Sequence, residues 1–189
     1  MASQSNVLKW ARDHRTHHRC EENDGDPYNI NNGFWHAHIW WLFNDYDILT
    51  KDQLIITDKL YMDDLKNNNL LLFQEKYFGE LWVFIALIIP TYFCYFWNDM
   101  YNGFFFNFIR IFFNLHITWC VNSLAHYTGS KPYKVTLKAV DNLFVSILTF
   151  GEGWHNYHHS FPKDYRASPP NVYNPTTNFI DLTYFIGLS

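Results

Sequence analysis

The sequence predicts an all-α integral membrane protein in which two transmembrane helices carry a cytosolic helical cap. Three observations support this fold class. Aromatic residues make up 21% of the 189 residues, and Trp and Tyr favour membrane interfaces because part of each ring system is apolar and part can hydrogen-bond. Two apolar runs, residues 81–97 and 103–121, approach the length of a membrane span. Histidines elsewhere recur three and four residues apart, which is a helical spacing.

The segments before the apolar runs predict a helix, an aromatic segment and a polar connector. Residues 4–20 are expected to form a helix that ends in the loop-favouring sequence EENDGDPYN. Residues 31–43, NNGFWHAHIWWLF, are dense in aromatic side chains but too short to span a bilayer, so a buried or interfacial helix is expected. Residues 44–69 are polar and predict a solvent-facing connector with a short amphipathic helix.

The two apolar runs differ in quality as membrane spans. Residues 81–97 contain no charged side chain, and Pro90 predicts a kink that membrane helices tolerate. Residues 103–121 are apolar except for a few polar side chains, among them Arg110. An arginine at the centre of a span costs roughly 2.5–3.5 kcal/mol unless it pairs or reaches the interface. The second run is therefore the weaker span on hydropathy alone.

Charge and cysteine content argue against several other classes of protein. The net charge is −4 and the basic residues are dispersed, so no nucleic-acid partner is expected. The three cysteines are odd in number and far apart, which disfavours a disulfide framework and fits a reducing environment. Lys131, Lys134 and Lys138 follow the second run, and the positive-inside rule then places the cap in the cytosol. No composition shift divides the chain.

Two copies of HxxHH, in DHRTHHR and GEGWHNYHHSFP, each place three imidazoles on one face of a helix. A third motif, NSLAH, sets Asn122 and His126 one helical turn apart just after the second apolar run. One HxxHH alone is equally compatible with a solvated helix face, but the recurrence indicates a shared site. The histidines expected in that site are His14, His17, His18, His126, His155, His158 and His159. The remaining His36, His38 and His116 are interpreted as structural residues.

These histidines indicate a metal site that holds more than one ion. Imidazole suits zinc, copper, iron and nickel, and no cysteine or dense carboxylate group accompanies the set. Seven imidazoles are too many for a single four-coordinate ion and suit a two-metal site. Two membrane crossings between the HxxHH copies would put both on the same side of the membrane. Redox-active irons there would indicate oxygen chemistry on a lipid. A soluble histidine-rich zinc protein is the alternative.

Together, WARDHRTHHR, NSLAHYTGSKPY and GEGWHNYHHSFPKDYR resemble the motifs of the membrane acyl-CoA desaturases of the stearoyl-CoA desaturase type. The resemblance runs over nearly the whole chain, including DPYN and the FIDLTYFIGL near the end. It implies a multi-pass enzyme of the endoplasmic reticulum membrane with two iron ions (Fe2+) in a histidine-rich di-metal site. Such an enzyme uses O2 and electrons from cytochrome b5 to insert a cis double bond, by family default at delta-9, into a saturated fatty acyl-CoA.

The resemblance also implies roles for individual residues. The implied metal ligands are His14, His17, His18, His126, His155, His158 and His159, with Asn122 acting through water. The implied substrate contacts are Gln4, Trp10, Thr118 and Trp119 along the acyl chain, with Arg12 and Asp13 near the CoA end. Ordinary core packing is the alternative for both tryptophans. Gly151 and Gly153 are interpretable as turn residues, and Glu152 as either a partner of a ligand histidine or a surface carboxylate.

The chain also departs from the family pattern. The first family box, HxxxxH, and the first membrane hairpin have no counterpart in residues 1–189. We therefore expect one fatty acid desaturase domain that is incomplete at the N-terminus and also short at the C-terminus. Seven of the nine implied histidines are present, so a complete di-iron site is not expected from this chain alone. The alternative function is a non-catalytic, membrane-embedded partner or regulatory fragment of a full-length desaturase.

Overall fold

The computed structural model describes residues 4–43, 59–95 and 99–188, which are helical with two isolated antiparallel bridges and no strand among them. The α-helices are α1 (Val7–Cys20), α2 (Phe34–His38), α3 (Asp63–Lys66), α4 (Asn69–Lys76), α5 (Phe78–Trp82), α6 (Ile89–Tyr95), α7 (Met100–Asn122), α8 (Leu143–Leu148), α9 (His155–Ser160) and α10 (Pro175–Phe185). A π-helical segment, Val83–Ile88, joins α5 to α6. Short 3₁₀ turns lie at Ile30–Asn32, Trp40–Phe43 and Leu124–His126. The predicted all-α class is thus confirmed for the described residues.

Two compact units divide the chain, and each is described by itself. The first unit contains residues 1–16 and 49–116, and the second contains residues 17–48 and 117–189. The single-domain organisation stays a prediction.

Several helices begin where an asparagine side chain accepts a hydrogen bond from the first turn, which satisfies an otherwise unpaired backbone N–H. Asn6 Oδ1 accepts from the Lys9 backbone N–H at 2.8 Å at the start of α1. Asn142 caps α8 in the same way, and Asn174 caps α10, where Pro175 occupies the first turn. The helix predicted over residues 4–20 is therefore confirmed as α1.

The aromatic segment at residues 31–43 is not one continuous helix. It contains α2 and the following 3₁₀ turn, and the chain changes direction at Ile39, where φ is −141°. His38 is buried, while Trp35 and Trp40 are 62% and 58% exposed. A sequence dense in large rings cannot bury all of them against one face of a short helix, so the segment divides its rings between the interior and the surface.

Residues 44–58 of the predicted polar connector lie outside the described residues. Its described part contains α3, whose Asp64 forms an ion pair with Arg15 of α1 at 2.6 Å. A second hydrogen bond of 2.9 Å joins the same two side chains. The short helix expected in the connector is confirmed, and this paired contact attaches it to α1.

One helix among the described residues is long and apolar enough by itself to cross a membrane. It covers Met100–His126, and only 11% of its most apolar window is buried. The rings on its surface are phenylalanines such as Phe106, which is 62% exposed. A helix at the centre of a soluble protein would bury these rings. The run judged weaker from its sequence is thus the one that meets the length and hydropathy requirement.

The other predicted span, residues 81–97, does not meet that requirement alone. Together, Asn69–Lys76 and Phe78–Cys94 do so, but they are bent by 83° relative to each other. Residues 96 and 97 of the predicted span lie outside the described residues. Among the described residues, one helix is therefore long and apolar enough to span a membrane, and the second span belongs to the proposals below.

Polar residues in α7 pair with the backbone near Pro90. Proline has no N–H to donate to the carbonyl four residues earlier, that of Ala86. The Ala86 carbonyl accepts from Asn107 Nδ2 and from Arg110 Nη2, each at 2.9 Å. Arg110 Nε also donates to Asn107 Oδ1 at 2.9 Å. Arg110, the reason why this run is the weaker span by hydropathy, therefore has hydrogen-bond partners. The Ala86 carbonyl, to which Pro90 cannot donate, is also satisfied.

Replacing Asn107 by Leu is expected to lower the free energy of unfolding by roughly 1–3 kcal/mol, because it removes a donor to Ala86 and the acceptor of Arg110. Thermal unfolding of the detergent-solubilised chain measures this loss. The control is Phe106→Leu on the exposed surface of the same helix. Equal unfolding temperatures for the two variants would contradict the proposed pairing.

Candidate metal centre

Four buried histidines of the second unit bring their Nε2 atoms together. The Nε2 of His159 lies 3.2 Å from that of His17 and 3.1 Å from that of His155. The Nε2 of His155 lies 2.9 Å from that of His126. One ligand atom from each of the four rings lies within 4.8 Å of all the others. We call His17, His126, His155 and His159 the four-histidine cluster.

The spacing in the four-histidine cluster suits one divalent ion. Imidazole nitrogens bind such an ion at about 2.0–2.1 Å, which places tetrahedral ligand atoms roughly 3.3 Å apart. In His17 and His126 the Nδ1 atom faces a carboxylate, described below, which favours the proton on Nδ1 and leaves the Nε2 lone pair facing inward. Converging lone pairs repel one another unless a cation lies between them. The residues present therefore fit a metal ion.

A network of buried polar groups holds α9, which supplies His155 and His159 to the four-histidine cluster. Asp141 Oδ1 accepts from the backbone N–H groups of Asn156 and Tyr157 at 2.9 and 3.2 Å, at the helix N-terminus. The Asn156 side chain is completely buried and donates to the carbonyls of Lys134 and Ala139 at 3.0 and 2.9 Å. Its Oδ1 accepts from the Tyr133 N–H at 3.0 Å. These contacts fix the direction in which α9 presents its imidazoles.

A second pair of histidines lies beside the four-histidine cluster in the same unit. His18 and His158 are half-buried, and their Nε2 atoms are 2.8 Å apart. The ring of His18 also stacks on that of His159, with centroids 4.3 Å apart. His14 lies one turn before His18 in α1, and its ring stacks on Trp10 at 4.8 Å.

Burial keeps His18, His155, His158 and His159 neutral, which is the form that binds metal. Desolvation lowers the pKa of His18 to about 3 and that of His158 to about 4. Burial and neighbouring imidazoles also lower the pKa of His155 and His159 well below the usual value for histidine. At neutral pH these groups therefore carry lone pairs and no positive charge.

Three carboxylates lie behind the four-histidine cluster, and the sequence interpretation missed them. Asp26 Oδ1 lies 2.7 Å from His17 Nδ1, and Glu22 Oε1 lies 2.9 Å from His126 Nδ1. Glu21 Oε1 lies 3.1 Å from His159 Nδ1, although the two atoms are not aligned for a hydrogen bond. Burial and the neighbouring acids Glu21 and Asp26 raise the pKa of Glu22 to about 7. The sequence signal for these carboxylates is the acidic stretch EENDGD directly after the first HxxHH. Its composition predicts a loop, but it does not show that the acids face the histidines.

The other candidate residues are less closely tied to the cluster. Asn122 is half-buried at the C-terminal end of α7. Glu152 is exposed. His38, interpreted as structural, is buried, and its Nδ1 lies 2.9 Å from the Ser123 hydroxyl. His116 contacts Phe112 within α7, with ring centroids 4.3 Å apart.

The residues implied as substrate contacts differ in their exposure to solvent. Those in the first unit are the half-buried Gln4, the exposed Trp10 and Arg12, and the buried Asp13. Asp13 pairs with Lys9 at 2.6 Å and with Arg12 at 3.3 Å, so its burial has a structural explanation. In the second unit Thr118 is half-buried, while Trp119 is 9% exposed and contacts the His38 ring at a centroid distance of 5.9 Å. That contact fits the core-packing interpretation of Trp119.

Fold and site together define a helical protein with a membrane-length apolar helix and a buried histidine cluster that could hold a metal ion. The model of the family described as fatty acid desaturase matches residues 1–169. The chain belongs to the fatty acid desaturase family.

Curated relatives agree with this assignment. The chain is 42% identical over 192 residues to the Delta(9)-fatty-acid desaturase fat-6 of Caenorhabditis elegans, a match covering 100% of this chain and 56% of the relative. Identity to the stearoyl-CoA desaturase 5 of Bos taurus is 39% over 195 residues, covering 100% and 57%. Identity to the Acyl-CoA Delta12-desaturase of Acheta domesticus is 37% over 196 residues, covering 100% and 54%. The chain thus spans about half the length of the curated relatives it matches.

Proposed function

We propose that this chain carries most of the metal site of a fatty acyl-CoA desaturase that uses O2 to insert a cis double bond into a saturated acyl chain. The observation that carries the proposal is the convergence of four buried Nε2 atoms in a chain about 40% identical to delta-9 desaturases. Two bound iron ions (Fe2+) would supply the redox chemistry with O2, which amino-acid side chains cannot supply.

The ligands fall into two groups. His17, His126, His155 and His159 would hold one ion, because their Nε2 atoms already converge. His18 and His158 would contribute to the second ion, and the family motif adds His14 to the same ligand set. Asn122 would act on the site through water.

The remaining side chains would orient the substrate and exclude water, which is the protein's part in such a reaction. By family motif, Gln4, Trp10, Thr118 and Trp119 would contact the acyl chain. Arg12 and Asp13 would lie near the CoA end, where the Lys9–Asp13 pair holds the carboxylate in place.

The location and partners follow from the same assignment. A second span formed by residues 81–97 would make the protein a two-span or larger membrane protein. It would reside in the endoplasmic reticulum membrane with the histidines facing the cytosol, as Lys131, Lys134 and Lys138 favour. Cytochrome b5 would deliver the electrons.

The test is a desaturation assay of the full chain in detergent, supplied with iron, stearoyl-CoA, O2, cytochrome b5 and a reductase. The proposal requires any product to have 18 carbons and a cis double bond at delta-9, located by mass spectrometry. A relative named for Delta12 desaturation is 37% identical, so a delta-12 product would contradict the assigned position but not the reaction. Absence of any unsaturated product from iron-loaded protein would contradict the proposed activity.

A further inference from the structure

The loop that follows α1 places three of its four acidic side chains beside the outer nitrogens of the four-histidine cluster. Asp26 is buried and contacts His17, Glu22 contacts His126, and Glu21 lies beside His159. The four residues of the cluster come from three separate segments of the second unit, and one loop of six residues reaches three of them. Such an arrangement links the segments through their imidazole rings.

We propose that Glu22 and Asp26 are positioning residues that hold the proton of the histidines they face, His126 and His17, on Nδ1 and so aim Nε2 at a shared metal ion. This inference rests on the proposed metal centre and deepens it. Hydrogen bonds from Nδ1 to a carboxylate fix both the tautomer and the ring orientation of a ligand histidine.

Charge provides a second reason for these acids. A divalent ion bound by neutral imidazoles keeps its full positive charge in a buried place, where an uncompensated charge is costly. The side chains of Glu22 and Asp26 are only 10% and 1% exposed, so water screens them little. Carboxylates immediately behind the ligands compensate the ion without occupying its coordination positions.

Backbone geometry shows that Glu22 is held in place. Its φ is +64°, in the left-handed region that favours glycine, so a non-glycine residue there is strained. The Glu22 backbone N–H donates to Asp26 Oδ2 at 2.9 Å, while Asp26 Oδ1 faces His17. Asp26 thus holds one histidine directly and fixes the residue that contacts another.

His155 differs from His17 and His126. Its Nδ1 is buried and has no hydrogen-bond partner among the described residues. The proposed positioning therefore applies to His17 and His126 and does not extend to His155.

The test compares Co2+ affinity, measured by visible absorption in competition with a chelator, among full-chain variants in detergent. Glu22→Gly removes the carboxylate and suits the positive φ, so we expect unchanged or higher stability but roughly 10- to 100-fold weaker Co2+ binding. Glu22→Gln keeps an acceptor for His126 and should lose less. Asp24→Asn, an exposed acid of the same loop, should bind as the unaltered chain does.

A double variant decides whether Glu22 acts through His126. His126→Ala and His126→Ala/Glu22→Gly should bind Co2+ with equal affinity, because the acid has lost the ring it positions. The inference would be overturned if the losses of Co2+ affinity in the double variant were additive. It would also be overturned if Glu22→Gly bound Co2+ as tightly as the unaltered chain, or if Asp24→Asn lost as much affinity as Glu22→Gly. An unaltered chain that binds no Co2+ would overturn it as well. Protein that shows the expected affinities but forms no unsaturated product would refute the proposed function and leave this inference standing.

Discussion

Replacing His155 by Ala is expected to abolish both tight iron binding and product formation. His155 is buried, and its Nε2 contacts those of His126 and His159 at 2.9 and 3.1 Å, so alanine removes a ligand from the middle of the cluster. The loss of affinity should exceed the roughly 10- to 100-fold that follows removal of an outer hydrogen-bond partner. Elemental analysis of the purified chain measures the iron, and chromatography of the acyl products measures the activity.

The matched control is His36→Ala, which removes a half-buried imidazole of α2 outside the cluster. It should leave iron content and product unchanged. Iron retained by the His155 variant at the level of the control would mean that the four-histidine cluster is not the site of metal binding.

Replacing Gly153 by Ala is expected to destabilise the segment that carries the second HxxHH. A Cβ at this position would overlap the backbone nitrogen of Ser146 and the carbonyl oxygen of Asn142. Neither atom can move freely, because the Ser146 N–H donates to that carbonyl at 2.9 Å and the Asn142 N–H donates to the Gly153 carbonyl at 2.8 Å. Overpacking of this kind costs about 1–3 kcal/mol and more where backbone must shift. Thermal unfolding in detergent measures the effect.

Gly79→Ala provides the comparison, since Gly79 lies in α5 and a Cβ there would meet nothing within 4 Å. Alanine should leave its stability unchanged or raise it by about 1 kcal/mol, the usual preference for alanine within a helix. Equal unfolding temperatures for the two variants would show that the close approach at Gly153 does not constrain the fold.

The histidine spacing predicted the two helices that carry HxxHH, but it did not predict how their imidazole rings divide between two groups of ligands. Adjacent residues of an α-helix point about 100° apart, so His17 and His18 cannot face the same ion directly. The four-histidine cluster takes His17 from α1 and both His155 and His159 from α9, whereas His18 pairs with His158. The expectation that each HxxHH aims all its imidazoles one way was therefore wrong. Within one helical turn, the motif instead presents its imidazole rings in two different directions.

The sequence alone revealed less about the membrane helices. Hydropathy treats Arg110 as a penalty because it cannot register a partner on another helix. The partner is the Ala86 carbonyl, and Pro90 lacks the N–H that would have been donated to it within the helix. Pro90 alone indicates that the Ala86 carbonyl needs another donor. It does not indicate that Asn107 and Arg110 are the donors, because that depends on how the helices pack.

Glycines and acids near the histidines were also only partly predictable. Gly151 has a φ of +124°, as a turn residue would, but Gly153 is required by close backbone approach rather than by its dihedral angle. Contacts of Glu22 with His126 join residues 104 positions apart, and no local pattern specifies them. Local spacing therefore identified the ligands, while their supporting contacts required the tertiary structure.

Iron content per chain shows whether the four-histidine cluster binds a metal ion. The full chain should be purified in detergent from cells supplied with iron, dialysed, and measured by elemental analysis beside the His155→Ala variant. We expect tightly held iron in the unaltered chain, about one ion at the four-histidine cluster, and loss of that ion in the variant. Iron absent from the unaltered chain, or equal in both proteins, would contradict this expectation.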